Sequence, residues 1–344
     1  MTKRFRLAAS LLLLGVLACG MDWSQVRAAF ASLRLDLWLL AAVVYAVTQA
    51  VSSLRWQLLA RPLGFDDPFR QFLGNYYVGM FFNLVLPTSV GGDVVRAWRL
   101  ASQSRRRARA FLSVIADRVS GVFVLVLMAL AALPFRPTEL PPWLTWTVAG
   151  LAGGALLALT FLLLVGRTTG SHLPLLGTRY PSLDTWYSGR GTFSRLLLSI
   201  RNLDTAICPS RRVFVLSTAL SVVVQLANVL VVWLIGQGLS LSVPGNYYLI
   251  FVPTVTLLTL LPVSLNGMGV REGATALMLA PLGVDAGTAV TLAFLWFAAF
   301  VLPSLGGVFP YLLGKVPRFE EKTDDQSLGG DPDQGRAGQP RTAA

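Results

Sequence analysis

Two stretches of this sequence carry the same pattern of residues able to hold an anion. Leu86-Pro87-Thr88-Ser89-Val90-Gly91-Gly92-Asp93-Val94-Val95-Arg96 and Leu261-Pro262-Val263-Ser264-Leu265-Asn266-Gly267-Met268-Gly269-Val270-Arg271 both read L-P-x-S-x-x-G-x-x-x-R, at an offset of 175 residues. Proline lacks an N–H and clashes with the preceding turn, so Pro87 and Pro262 end a helix. Ser89, Asp93, Ser264 and Asn266 are candidate caps for the helix that follows. Gly91, Gly92, Gly267 and Gly269 permit tight turns and close approach of backbone to a ligand. The first N–H groups of a helix attract an anion, and Arg96 and Arg271 add a full positive charge about one turn later. A guanidinium grips phosphate or carboxylate through paired hydrogen bonds. Asp93 and Glu272 are placed to neutralise Arg96 and Arg271 or to join the same site.

Other chemistries find little support. His172 is the sole histidine, and Cys19 and Cys208 lie far apart with no C-x-x-C spacing, so neither a metal nor another cofactor is expected. No G-x-x-x-x-G-K-[ST] loop is present, so no ATP hydrolysis by this chain is expected. Arg55, Asp117 and Arg118 fall in or near apolar runs, where a charge must pair or face a polar cavity; Asp117 and Arg118 read as a pair at the edge of a span. Asn83 and Gln225 read as hydrogen bonders between helices.

The elements that position these residues are set by composition. Of 344 residues, 54% are hydrophobic and 13% charged. A soluble domain carries about a quarter charged residues, so this supply cannot cover a water-facing surface. Apolar runs of spanning length, about 20 residues, follow one another: Phe5–Cys19, Leu37–Leu59, Phe111–Leu133, Leu144–Val165, Val213–Ile235 and Ala286–Leu313. They lack the alternation of barrel strands, so the fold expected is an all-α polytopic membrane protein. The first run also resembles a signal peptide after Lys3-Arg4-Phe5-Arg6, and is read here as a retained helix.

Basic residues fix the orientation. Arg61 and Arg70 precede the broken stretch Phe72–Val90, and Arg96, Arg99, Arg105, Arg106, Arg107 and Arg109 follow it. If both flanks are cytoplasmic, that stretch enters and returns as a re-entrant hairpin turning at residues 86–92. Tyr247–Leu282 is then a second hairpin entered from the other face. Gly74-Asn75-Tyr76-Tyr77 and Gly245-Asn246-Tyr247-Tyr248 precede the two breaks alike. The expectation is an inverted repeat, with halves about 5–135 and 143–315, about six full transmembrane helices and two re-entrant helical hairpins. Residues 1–318 form one transmembrane domain with a cytoplasmic loop at 167–212, including an amphipathic piece at 193–207. Residues 319–344 read as a disordered cytoplasmic tail. The net charge of +12 reflects loops facing anionic lipid; nucleic acid is not expected as a partner.

With these motifs the sequence resembles the lysylphosphatidylglycerol synthase transmembrane-region family, also called the flippase-like domain family. Pro87–Arg96 and above all Gly267–Gly273 carry the resemblance, which covers roughly residues 5–315. It implies a multi-pass inner-membrane protein with both termini cytoplasmic, similar to the flippase half of the multiple peptide resistance factor, which moves an aminoacylated phospholipid between leaflets. The sequence departs from the two-function members in showing no soluble aminoacyl-transferase domain, so lipid synthesis by this chain is not expected. The expected function is transport, with no catalysis, of a lipid bearing an anionic or zwitterionic phosphate headgroup. The expected substrate-binding residues are Arg96, Arg271, Ser89, Gly92, Asp93, Ser264, Asn266, Gly267, Gly269 and Glu272. The alternatives are an integral membrane transferase acting on a lipid phosphate, and a non-catalytic partner of a lipid-synthesising enzyme.

Overall fold

The computed structural model describes Gly15 and residues 22–86, 91–101, 107–135, 141–168, 210–261, 264 and 266–313. Among the described residues the elements are α-helices and short 3-10 turns, without a strand. In hydrocarbon every backbone polar group must be paired within its own segment, and a helix does this. The helices are α1 (Trp23–Ala31), α2 (Leu35–Ala60), α3 (Phe69–Val85), α4 (Gly91–Ala101), α5 (Arg107–Ala132) and α6 (Pro142–Thr168). They continue as α7 (Arg211–Gly238), α8 (Tyr248–Leu260), α9 (Val270–Leu279), α10 (Ala286–Leu305) and α11 (Val308–Leu313).

Four segments are long and apolar enough to cross a membrane: Leu35–Leu63, Arg107–Phe135, Arg211–Gly238 and Ala286–Leu312. Side-chain caps set several starts. Asp22 accepts from the Ser24 N–H at 2.9 Å, Ser210 from Val213 at 3.2 Å and Asp285 from Thr288 at 2.8 Å. The ends of α2 and α9 are each followed by a 3-10 turn containing proline and a left-handed glycine, Gly64 (φ 87°) and Gly283 (φ 74°). Large apolar side chains such as Val43, Val47, Val223, Leu226 and Phe294 stay exposed, as lipid-facing surfaces should.

α2 and α7 pack along each other, and α5 and α10 each lie against both. Trp56, fully buried, ties α2 to its neighbours: its indole N–H donates to Ser113 Oγ at 3.0 Å, and its ring meets Phe72 edge-on at 4.8 Å. A second core, around Tyr247, Tyr248 and Phe251, joins α7, α8 and α10.

The two broken stretches form helical hairpins. In α3–α4, Asn83 meets Gly92 and Asn75 meets Arg99, so the limbs run antiparallel. In α8–α9, Thr259 lies beside Gly267, and the hydroxyl of Tyr247, just before α8, donates to the Met278 carbonyl. The first hairpin is longer than the stretch Phe72–Val90: its second limb is Gly91–Ala101. Arg96 and Arg99 therefore belong to a packed helix rather than to a cytoplasmic loop. Apolar runs miss this limb because one face of it is charged and buried.

Phe5–Cys19 (apart from helical Gly15), the interior of loop 167–212, the amphipathic piece 193–207, His172, Cys208, Ser89 and the tail 319–344 lie outside the described residues.

Candidate functional site

Five charged side chains form a continuous ladder across α2, α4 and α5. Arg55 Nε lies 2.8 Å from Asp117 Oδ1, and Arg96 Nη2 lies 3.1 Å from Asp117 Oδ2. Arg96 Nε lies 3.1 Å from Asp93 Oδ1, and Arg118 Nε lies 2.8 Å from Asp93 Oδ2. The ladder continues into α7, where Arg55 Nη1 donates to Ser221 Oγ at 3.0 Å and Ser221 meets Ser120 at 2.9 Å. Arg96 is only 3% exposed, and its guanidinium lies over the rings of Trp56 (5.0 Å) and Tyr76 (4.9 Å). A single charge at the bilayer centre costs about 2.5–3.5 kcal/mol on insertion scales. Mutual pairing and the electron-rich ring faces offset that cost.

Three guanidinium groups against two carboxylates leave one positive charge. Arg118 is the open end: its side chain is 46% exposed, against 4% for Arg96. All five groups line a cavity of about 280 Å³ together with Gln49, Asn83, Gln225, Asn228, Tyr45 and Tyr76. That volume lies near the lower end of small-molecule sites, roughly 300–1,000 Å³.

The hairpin tips meet beside it. Asn83 Oδ1 accepts the Gly92 N–H at 2.8 Å, and the Asn83 carbonyl accepts from Asn266 Nδ2 at 3.3 Å. Asn83 is thus a bonder between helices, as is Gln225, whose Nε2 donates to the Gly121 carbonyl at 3.1 Å. Gly92 serves backbone packing: a Cβ there would collide with the Gly79 carbonyl oxygen. In the second tip Asn266, Gly267 and Gly269 all take positive φ (52°, 78° and 80°), making the turn that starts α9.

Two sequence expectations need correction. Glu272 does not pair with Arg271; its carboxylate accepts the Gly269 N–H at 2.6 Å and caps α9. Asp117 and Arg118 are not a pair at a span's edge but separate rungs of the buried ladder. They are the site residues that sequence reasoning under-weighted, and the signal was available in charges placed within an apolar run. Asp93 and Arg96 do come together. Arg271 is not among the residues lining the cavity. It lies over Trp296 (5.8 Å) and Phe297 (5.1 Å), and no carboxylate among the described residues lies within 4 Å of it. Ring contacts link it to the cavity wall: Phe297 stacks on Phe300, which meets Tyr45 edge-on. The Ser264 hydroxyl is buried and has no hydrogen-bond partner among the described residues.

A family model described as the lysylphosphatidylglycerol synthase TM region matches residues 5–307. The chain belongs to that family. A UPF0104 membrane protein of Methanothermobacter thermautotrophicus (strain Delta H) is 23% identical over 283 residues, covering 77% of this chain and 80% of the relative. A second match to a UPF0104 membrane protein of that organism is 34% identical over 93 residues, covering 26% of this chain and 28% of the relative. The family match spans both hairpins and the whole ladder, so this member of the lysylphosphatidylglycerol synthase TM-region family is a membrane protein whose polar centre lies within the shared region.

Proposed function

We propose that this protein is a flippase, moving a lipid with a phosphate-bearing headgroup between leaflets without chemistry of its own. The observation that carries the reading is a buried charged ladder with one uncompensated positive charge, walling a cavity beside two touching hairpin tips. A scaffold needs no such excess charge, whereas a phosphate would balance it. Arg118 is exposed and held by Asp93 alone, so an arriving phosphate competes for it directly. Arg96, held by Asp117 and two rings, keeps its place. Arg271, in no ion pair within 4 Å among the described residues, offers a second cation once the helices shift and the Phe297–Phe300–Tyr45 contacts part.

The reading includes alternating access by an inverted repeat. Exchanging α2–α5 with α7–α10 carries the packing onto itself. α5 lies on α8 as α10 lies on α3; α5 lies on α7 as α10 lies on α2; α6 lies on α5 as α1 lies on α10. Antiparallel limbs in both hairpins support re-entrance. The protein would sit in the cell inner membrane with both termini cytoplasmic, and a lipid-synthesising enzyme is a natural neighbour.

Reconstitution into liposomes tests transport. Fluorescent phospholipids in the inner leaflet should become accessible to an impermeant quencher faster than in protein-free vesicles. Rates no faster than in protein-free vesicles for every phosphate-bearing lipid would sink the proposal. Topology has its own test. Single cysteines at Arg61 and Arg106, in a background lacking Cys19 and Cys208, should both resist an impermeant thiol reagent applied from outside the cell. Labelling at 106 alone would turn the first hairpin into a single crossing.

A further inference from the structure

The cavity wall holds more than charge. Four amides, Gln49, Asn83, Gln225 and Asn228, face it from α2, α3 and α7. Gln49, Asn83 and Asn228 are each held at one end, and Gln225 at both. Gln49 Nε2 donates to the Tyr45 carbonyl (3.3 Å), Asn83 Oδ1 accepts from Gly92, Gln225 Nε2 donates to Gly121, and Asn228 Nδ2 donates to Gln225 Oε1 (3.5 Å). The opposite ends keep unused capacity: acceptors at Gln49 Oε1 and Asn228 Oδ1, and a donor at Asn83 Nδ2. A set offering both donors and acceptors matches hydroxyl groups, which do both.

The carboxylates point the same way by being occupied. Asp93 is held by Arg96 and Arg118, and Asp117 by Arg55 and Arg96. Among the described residues no other carboxylate lines the cavity. An ammonium group entering here would meet a wall of net positive charge and would have to break an existing ion pair to find a partner.

We infer that the cavity takes a phosphodiester monoanion whose headgroup is a neutral polyol, and that it excludes cationic aminoacylated headgroups. The phosphate balances the extra arginine at Arg118, and the hydroxyls occupy the free ends of Gln49, Asn83 and Asn228. The inference rests on the transport reading for its purpose, but binding alone can test it.

The experiment compares, in liposomes containing the full chain, phosphatidylglycerol, phosphatidylinositol, phosphatidic acid, phosphatidylethanolamine and lysyl-phosphatidylglycerol. A site built to hydrogen-bond hydroxyls rejects analogues lacking them strongly, so the polyol lipids should move roughly tenfold or more faster than the other three. Which of the two polyols moves faster tells a glycerol from a ring headgroup. Gln49→Leu and Asn228→Leu should shrink the ratio of phosphatidylglycerol to phosphatidic acid transport. Lysyl-phosphatidylglycerol moving as fast as phosphatidylglycerol would overturn the headgroup assignment while leaving transport standing, and so would phosphatidic acid doing so. If no lipid moves above the protein-free rate, transport fails instead. Native mass spectrometry of the purified protein with the same five lipids then decides the headgroup: preferential retention of the polyol lipids supports it, and any other order overturns it.

Discussion

Asp117→Ala is expected to destabilise the protein by about 3–5 kcal/mol, the usual effect of removing one partner from a buried ion pair. The carboxylate is 2% exposed and holds two arginines at once, Arg55 at 2.8 Å and Arg96 at 3.1 Å. Its loss leaves Arg55 with the Ser221 hydroxyl and Arg96 with Asp93 and the rings of Trp56 and Tyr76. Thermal unfolding in detergent should show a large fall in midpoint. Removing the stranded cation as well, in Arg55→Met with Asp117→Leu, should recover more than half of the loss, because an apolar pair of similar volume carries no desolvation penalty. A single mutant within about 0.5 kcal/mol of wild type, as at an ordinary surface site, would mean that Asp117 does not hold the ladder together.

Arg118→Ala and Arg271→Ala are each expected to slow transport in liposomes by roughly tenfold or more, since a hydrogen bond to a charged group contributes about 1.5–3 kcal/mol. Their folding should suffer far less than that of the Asp117 variant. Arg118 is 46% exposed and Asp93 keeps Arg96 beside it. Arg271 has ring contacts but no ion pair to break. Lysine at either position keeps the charge and loses the planar fork, so it should restore transport only in part. Full activity in Arg271→Lys would argue for a point charge. Wild-type transport in Arg271→Ala would assign that residue to the ring stack of Trp296 and Phe297 and leave Arg118 and Arg96 as the phosphate site. A fall in thermal midpoint matching the fall in transport would make either residue scaffold.

Much of this was legible in the chain itself. Apolar runs with few charges read as helices, and the observed α2, α5, α6 and α7 lie within a few residues of those runs. The two L-P-x-S breaks fall where the helices stop, because proline and glycine act on the backbone locally and need no partner. The shared arginines follow from the same reading, and so does membership of the family. The second limb of the first hairpin was hidden, since Gly91–Ala101 buries Asp93 and Arg96 rather than an apolar stripe.

Tertiary structure decided which charge meets which. Asp117 and Arg118 are neighbours in sequence, yet adjacent helix positions point about 100° apart at 3.6 residues per turn. Asp117 therefore turns toward Arg55 of α2 and Arg96 of α4, while Arg118 turns toward Asp93. The two hairpins posed the same problem in reverse: the repeat in sequence suggested paired roles for Asp93 and Glu272. Glu272 instead folds back on the Gly269 N–H, because its helix starts from a left-handed turn with an open donor. In the first hairpin Asn83 of α3 already fills that role at Gly92, which frees Asp93 for Arg96 and Arg118. The residue types and the places where helices break are local properties and sit in the sequence; the closing of a five-charge ladder across three helices depends on side chains 62 positions apart, and only packing brings them within 3 Å.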